Sequence, residues 1–227
     1  MMRAALLFCC ALLPACAAAQ EDSDWIAYRD AYRQMIWFEK YGKPKQFLQN
    51  HFRLRPRDKN LSMEGVHLSL NGKNTQVALT LDVLGRATFP FSRAAYDDNA
   101  ELVVNRKAGQ FTAGPWVSIV TRPDGMYAAA DLRTACDQLL AYLHYAGEGG
   151  GKHCAGVQFA YARGDAAQVQ FRAANGALVT LASKEGPAFA GDVVQSFRVF
   201  AYRFAAFPEA GQVITSSTPL AIAPMLE

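Results

Sequence analysis

The sequence predicts a mainly β protein built from two tandem antiparallel β-sandwich-like domains, with an N-terminal helix and a second helix that connects the domains. Of its 227 residues, 51% are hydrophobic and 19% are charged, a balance typical of folded globular proteins. Short runs with an apolar residue at every second position recur between turn residues, which favours an antiparallel sandwich. Two other stretches repeat their apolar residues at helical spacing.

The first 19 residues have the pattern of a secretory signal peptide. Arg3 gives a basic start, an apolar run follows over residues 4–13, and the small residues Ala17, Ala18 and Ala19 form a cleavage site. A membrane-spanning helix needs about 20 apolar residues, so this run is too short to be an anchor. We therefore expect residues 1–19 to be removed and a periplasmic or secreted protein of 208 residues, 227 less 19, to remain.

An alternative processing site lies inside the same segment. Leu13-Pro14-Ala15-Cys16 resembles the lipobox at which bacterial lipoproteins are cut and acylated. Acyl chains on Cys16 would place the protein on the outer membrane, and membrane association is expected only in that case.

The first predicted helix covers Trp25–Tyr41 within an N-terminal segment 20–44, and Gly42 and Pro44 end it. The second covers residues 131–146, where an apolar stripe follows one face. A glycine-rich loop continues from this helix to residue 151, so residues 128–151 are predicted to connect the domains.

The first sandwich is predicted over residues 45–127. Val66, Leu68 and Leu70 alternate with polar residues before an Asn-Gly turn at 71–72, and a second alternating run ends in a turn over 82–85. Three further strands are expected at 87–91, 101–106 and 116–121.

The second sandwich is predicted over residues 152–227, with strands near 157–159, 169–171, 178–181, 197–204 and 212–216. Gly65 and Gly85 are separated by 20 positions, as are Gly156 and Gly176. This match predicts an internal repeat whose copies lie 91 residues apart.

Two cysteines, Cys136 and Cys154, remain after removal of the signal peptide. An even pair in an oxidising compartment predicts a disulfide. Free thiols are one alternative, and a metal site with His144 and His153 is another, although these spacings differ from those of known zinc modules.

Arg53, Arg55 and Arg57 alternate, so an extended segment would present all three on one face. They have two interpretations. One is a solvated edge strand, in which basic residues and Pro56 block unwanted strand pairing; the other is a surface that contacts an anion or a partner.

Removal of Arg3 leaves 22 basic and 20 acidic residues, a net charge of +2 that does not indicate nucleic-acid binding.

The segment Val77–Phe89, with its Asp-x-x-Gly turn, resembles a hairpin of transthyretin-like, carboxypeptidase-regulatory β-sandwiches. The whole chain, with its signal segment, Asn105-Arg106-Lys107 and the helix that carries Cys136, also resembles a family of exported proteobacterial proteins of unknown function. The second resemblance implies a location in the bacterial envelope and assigns no catalytic residues.

The sequence contains no nucleophile elbow, no zinc-binding His-Glu-x-x-His helix and no complete phosphate-binding loop, so no cofactor is expected. We therefore expect a non-catalytic binding or assembly module of the envelope that contacts an envelope protein, and not an enzyme. One alternative is a hydrolase with a site between the two domains. Another is a small-ligand or metal carrier that uses Cys136, His144, His153 and Cys154.

Overall fold

The computed structural model describes residues 23–107, 109–208 and 210–227, and it is mainly β, as predicted. The predicted signal peptide 1–19 and Cys16 lie outside the described residues. Within the described ranges, no helix has the length and apolar character that a membrane crossing requires.

The first half of the chain begins with a strand and a helix and continues mostly as strands. Its elements are β1 (Ser23–Ala27), α1 (Tyr28–Lys40), β2 (Leu48–Pro56), β3 (Leu68–Asn71), β4 (Gln76–Leu79), β5 (Arg86–Ala87), α2 (Arg93–Asp97), β6 (Glu101–Lys107) and β7 (Phe111–Ile119).

The second half opens in the same way. Its elements are β8 (Met126–Ala128), α3 (Ala129–Tyr145), β9 (Cys154–Tyr161), β10 (Val169–Ala173), β11 (Leu178–Thr180), β12 (Ser183–Gly186), β13 (Phe197–Arg203), a short 3-10 turn (Phe204–Ala206), β14 (Gly211–Thr215) and β15 (Ala221–Leu226).

Three antiparallel sheets contain these strands. Sheet A has the order β1-β6-β3-β4, and sheet C has the order β11-β10-β14-β8. Sheet B has the order β12-β13-β9-β15-β7-β2-β5 and takes strands from both halves, which meet where Ile222 of β15 pairs with Ile119 of β7. The two halves therefore share one central sheet.

The two halves are copies of one arrangement. Sheet C read as β8-β14-β10-β11 matches sheet A read as β1-β6-β3-β4, and in sheet B the pair β9-β15 matches β2-β7. Helix α1 starts at Tyr28 and α3 at Ala129, 101 residues later, and β3 and β10 start 101 residues apart as well. The repeat is real, but the predicted spacing of 91 is wrong because Gly65 precedes β3 whereas Gly156 lies inside β9.

Each half buries its own core against the same face of sheet B. Helix α1 and sheet A cover one core, which includes Tyr28, Phe52 and Leu102. Helix α3 and sheet C cover the other, which includes Leu139 and Phe159. The helix predicted as a connector thus packs on the core of the second half.

Three local predictions differ from the structure. The helix expected from Trp25 starts at Tyr28, because residues 23–27 pair with β6 as β1. The strand expected at 87–91 is limited to β5, and the turn expected at 71–72 occupies residues 72–75 between β3 and β4.

The predicted turn over Asp82–Gly85 is present: the Gly85 N–H donates to the Asp82 carbonyl at 2.9 Å, and Gly85 has a φ of +74° that suits glycine. The strands on its two sides belong to different sheets, since β4 pairs with β3 and β5 pairs with β2.

Candidate functional site

The face of sheet B opposite the two cores carries the candidate site. A smaller apolar cluster lies there, formed by residues such as Val199, Ala221 and Phe189. Phe189 belongs to the segment between β12 and β13, which folds back over the sheet, and its ring lies 5.2 Å from that of Trp116 on β7. A segment of the second half therefore covers strands of the first half.

Strand β2 places two of the three predicted arginines on this outer face. Phe52 and Leu54 point into the core, so Arg53 and Arg55 point to the opposite side, and Arg57 follows the end of the strand. The interpretation of β2 as an edge strand is wrong. All nine of its residues pair with β7 on one side, and Phe52 and Arg53 pair with the two-residue strand β5 on the other. Pro56 stands at the strand end, where a missing N–H is tolerated.

Arg53 is buried, with only 4% of its surface exposed, and its charge is paired. Its two terminal nitrogens donate to the two carboxylate oxygens of Asp192 at 3.0 and 2.6 Å, and its Nε donates to the Leu84 carbonyl at 2.9 Å. The guanidinium lies 4.6 Å from the centre of the Trp116 ring and 4.5 Å from that of Phe189. Burial lowers the pKa of Arg53, and the hydrogen bonds that it donates to Asp192 oppose this shift.

A cavity of about 320 Å³ lies beside this ion pair. One wall is formed by β2 and the residues that follow it, another by the Asp82–Gly85 turn, and a third by the segment 191–197 of the second half. All three predicted arginines line the cavity, together with Pro56, Met63, Val83, Leu84, Thr112, Gly191, Asp192, Val193, Val194 and Phe197.

Two of the lining arginines have no ion-pair partner among the described residues. Arg55 is half-buried and its guanidinium lies 4.9 Å from the centre of the Trp116 ring. Arg57 is exposed and its Nε donates to the Phe111 carbonyl at 3.4 Å. Among the described residues, neither guanidinium has a carboxylate within 4.0 Å.

The cavity therefore combines one neutralised ion pair with two available guanidinium groups. Guanidinium groups bind carboxylates and phosphates through paired, charge-assisted hydrogen bonds. The guanidinium groups of Arg53 and Arg55 both lie over the Trp116 ring, 4.6 and 4.9 Å from its centre. The arrangement can bind an anion at the junction of the two halves.

A second polar cluster supports the same junction. The Asp82 carboxylate accepts from the N–H groups of Leu84 and Arg86, each at 2.9 Å, and from the Arg86 Nε at 2.8 Å. Arg86 also donates to the Leu220 carbonyl of the second half at 2.6 Å. Burial, followed by the Arg86 charge, lowers the pKa of nearby His51, while Asp82 acts in the opposite direction.

The cysteines form the predicted disulfide, Cys136–Cys154, with 6.0 Å between their Cα atoms. It ties α3 to the first residue of β9. Oxidised sulfurs are not thiolate ligands, and the described residues contain no group of three or more His, Cys, Asp or Glu side chains that could hold a metal ion. His144 instead has its Nε2 at 2.8 Å from the Gly149 carbonyl.

Sequence reasoning found the arginines but missed the residues that complete their environment. Asp192 is 139 positions from Arg53, and Phe189 lies in the same distant segment. Trp116 pairs with His51 across β2 and β7, and His51 is two positions from Arg53 on β2. No local motif signals these contacts, because they depend on which strands become neighbours.

Comparison of the chain with known protein families, with curated proteins and with solved structures finds no match in any of the three.

Proposed function

We propose that this chain is an exported, non-catalytic binding module of the bacterial envelope that holds an anion in the cavity beside Arg55 and Arg57. The observation that carries the proposal is that the guanidinium groups of Arg55 and Arg57 line the cavity and have no ion-pair partner in the described part of the chain. A buried or half-buried cation gains most from an anionic partner, because water solvates it poorly.

The state of Asp192 supports binding over acid–base catalysis. Hydrolytic sites that act through carboxylates need an oxygen that is free to transfer a proton or attack a substrate. Asp192 is the one carboxylate that lines the cavity among the described residues, and Arg53 engages both of its oxygens. Asp192 therefore anchors the segment 191–197. This role favours a binding module, and it argues against the alternative of an envelope hydrolase.

Export is part of the proposal and is supported by two independent features. The first 19 residues have the pattern of a signal peptide, and the disulfide is of a kind that persists in oxidising compartments such as the periplasm. The periplasm is our proposed location, with acylation at Cys16 as the alternative that would anchor the protein to the outer membrane.

The fluorescence of Trp116 provides a direct test of anion binding, because its ring contacts Arg55. Replacing exposed Trp25 and Trp37 by Phe leaves Trp116 as the one tryptophan in the chain. We expect its emission to change saturably when sodium acetate or sodium sulfate is added at constant ionic strength. Arg55→Gln should remove the change, whereas Arg93→Gln, at an exposed arginine that does not line the cavity, should keep it. An equal response in both variants would contradict the proposal.

A second candidate function is assembly with an envelope protein by strand addition. Strand β11 forms one edge of sheet C, its three residues are exposed, and it carries neither charge nor proline to block pairing. Val179→Lys on this edge should abolish capture of the partner from an envelope extract, while Lys184→Ala on the edge strand β12 of sheet B should not. Equal capture by both variants would count against strand addition at β11.

A further inference from the structure

We propose that the anion bound in the arginine cavity is a carboxylate carried on a small aliphatic group. The proposal rests on the anion-binding function above and adds the chemical class of the ligand. Its basis is the division of the cavity into a cationic side and an apolar side.

The cavity has apolar walls beside its cationic wall. Outside β2, six of the lining residues have aliphatic, thioether or aromatic side chains: Met63, Val83, Leu84, Val193, Val194 and Phe197. They come from the Asp82–Gly85 turn, from the segment that precedes β3, and from the segment 191–197 with the start of β13. An anion held by the arginines would therefore have apolar walls next to its remaining atoms.

Two of these apolar residues are exposed, and they belong to two different walls of the cavity. Val83 has 61% of its surface exposed and Val193 has 38%. Val83 lies in the turn of the first half, whereas Val193 lies in the covering segment of the second. An aliphatic group between the two walls would remove this apolar surface from water, which stabilises the bound state.

The charge arrangement favours a carboxylate over a multiply charged phosphate compound. Arg55 stacks on the same Trp116 ring as Arg53, and Arg53 already binds a carboxylate, that of Asp192, through two parallel hydrogen bonds. A second carboxylate on Arg55 would repeat this planar geometry. Phosphate esters and polyphosphates carry more charge, and placing that charge against six apolar side chains would cost solvation that two arginines do not replace.

The volume limits the size of the aliphatic group. About 320 Å³ lies at the lower end of the range for small-molecule sites. A chain of a few carbon atoms fits such a space, whereas a long lipid tail does not. Two sources share this chemistry: a short-chain fatty carboxylate, and the C-terminal residue of a peptide that ends in a small aliphatic side chain.

A chain-length series tests the class of ligand on the protein that retains Trp116 as its one tryptophan. The probes are acetate, butyrate and hexanoate, and the fluorescence of Trp116 measures the binding of each. Each fully buried methylene contributes about fourfold to affinity, so we expect hexanoate to bind at least about tenfold more tightly than acetate. Hexanamide, which has the same chain without the charge, should not bind.

Serine at the two exposed valines separates the apolar contribution from the charge. We expect the double variant Val83→Ser, Val193→Ser to lose about tenfold in affinity for hexanoate and to keep its affinity for acetate. Val77→Ser is the matched control, because Val77 is 42% exposed on β4 and does not line the cavity. Unchanged thermal unfolding of the double variant and of the control would show that both are folded.

The outcomes distinguish this inference from the function on which it rests. If acetate binds through Arg55 and neither butyrate nor hexanoate binds more tightly than acetate, the inference of an aliphatic group on the ligand is overturned. The anion site itself would remain supported. Failure of all three carboxylates and of sulfate to produce a change that depends on Arg55 would overturn both. The tripeptide Ala-Ala-Val and its C-terminal amide identify the source: tighter binding of the free acid than of hexanoate would support a peptide terminus, and weaker binding a fatty carboxylate.

Discussion

The two halves of the molecule share the strand order of sheets A and C and the place of a helix, yet their outer faces differ. On β2 of the first half the outer face carries His51, Arg53 and Arg55, whereas the corresponding face of β9 carries Gln158 and Ala160. The inner faces of both strands bury large apolar side chains. The comparison teaches that buried apolar side chains on the inner faces of β2 and β9 maintain the fold in both halves. The basic side chains on the outer face of β2 create the candidate site in the first half alone.

The two halves also fix their helices by different means. In the second half, the disulfide ties α3 to β9. In the first half, α1 begins with Tyr28, which is fully buried, stacks on Phe89 at 5.2 Å and accepts a hydrogen bond from the Ser92 N–H at 2.8 Å. Aromatic packing and a buried hydroxyl thus replace the covalent link.

The largest effects are expected from equivalent core positions in the two halves. Phe52→Ala in β2 and Phe159→Ala in β9 each remove a fully buried ring, and each should lower the free energy of unfolding by about 3–5 kcal/mol. Because the halves share sheet B, urea denaturation followed by circular dichroism should show one transition for both variants. Two separate transitions, each shifted by one variant only, would show that the halves are independent.

The ion pair between the halves should have an effect of similar size. Asp192→Ala leaves Arg53 buried without a counter-charge, and breaking a buried pair in this way costs about 3–5 kcal/mol of stability. The matched control is Asp97→Ala, which removes an exposed partner of Arg93 and should cost less than about 1 kcal/mol. Equal urea midpoints for the two variants would contradict the role assigned to Asp192.

Reduction of the disulfide should have a somewhat smaller effect. The bond closes a loop with a sequence separation of 18, for which the chain-entropy relation gives about 3 kcal/mol. Urea unfolding with and without a reductant measures the difference. The variant Cys136→Ala, Cys154→Ala should be insensitive to the reductant, and a wild-type protein that is equally insensitive would show that the bond is absent.

The smallest effect concerns pH and His51. Burial lowers the pKa of His51 below its ordinary value of 6.5, so the unfolded chain binds this proton more readily than the folded protein does. The free energy of unfolding should therefore decrease as the pH falls below about 6.5. His51→Gln should reduce this dependence, and the difference between the two pH profiles gives the contribution of His51. If the pH profiles of the wild type and of His51→Gln are parallel, His51 has the same pKa in the folded and in the unfolded protein.

Much of the fold follows from local pattern. Alternation predicts which residues of β10 and β14 face the core, and Asp82 and Gly85 predict a turn that the structure confirms. The cysteine pair and its compartment predict the disulfide. Each of these features depends on residues that are near in sequence or on a chemical property of one residue type.

Strand neighbours are not contained in local pattern, and this limits prediction of the site. The alternation of Arg53 and Arg55 places them on one face but is the same for an edge strand and for an interior strand. Their environment is created by β7, which supplies Trp116, and by the segment 187–196, which supplies Phe189 and Asp192. The cavity exists because these distant segments meet at the junction of the two halves.

The most direct test of the arginine cavity follows the Nε–H signals of the arginines by NMR while sodium hexanoate is added. The account predicts a saturable shift for Arg55 with a smaller one for Arg57, and a nearly constant signal for Arg53, whose Nε already donates to Leu84 and whose charge is paired with Asp192. A shift spread equally over exposed arginines such as Arg93 and Arg163, with none specific to Arg55, would contradict it.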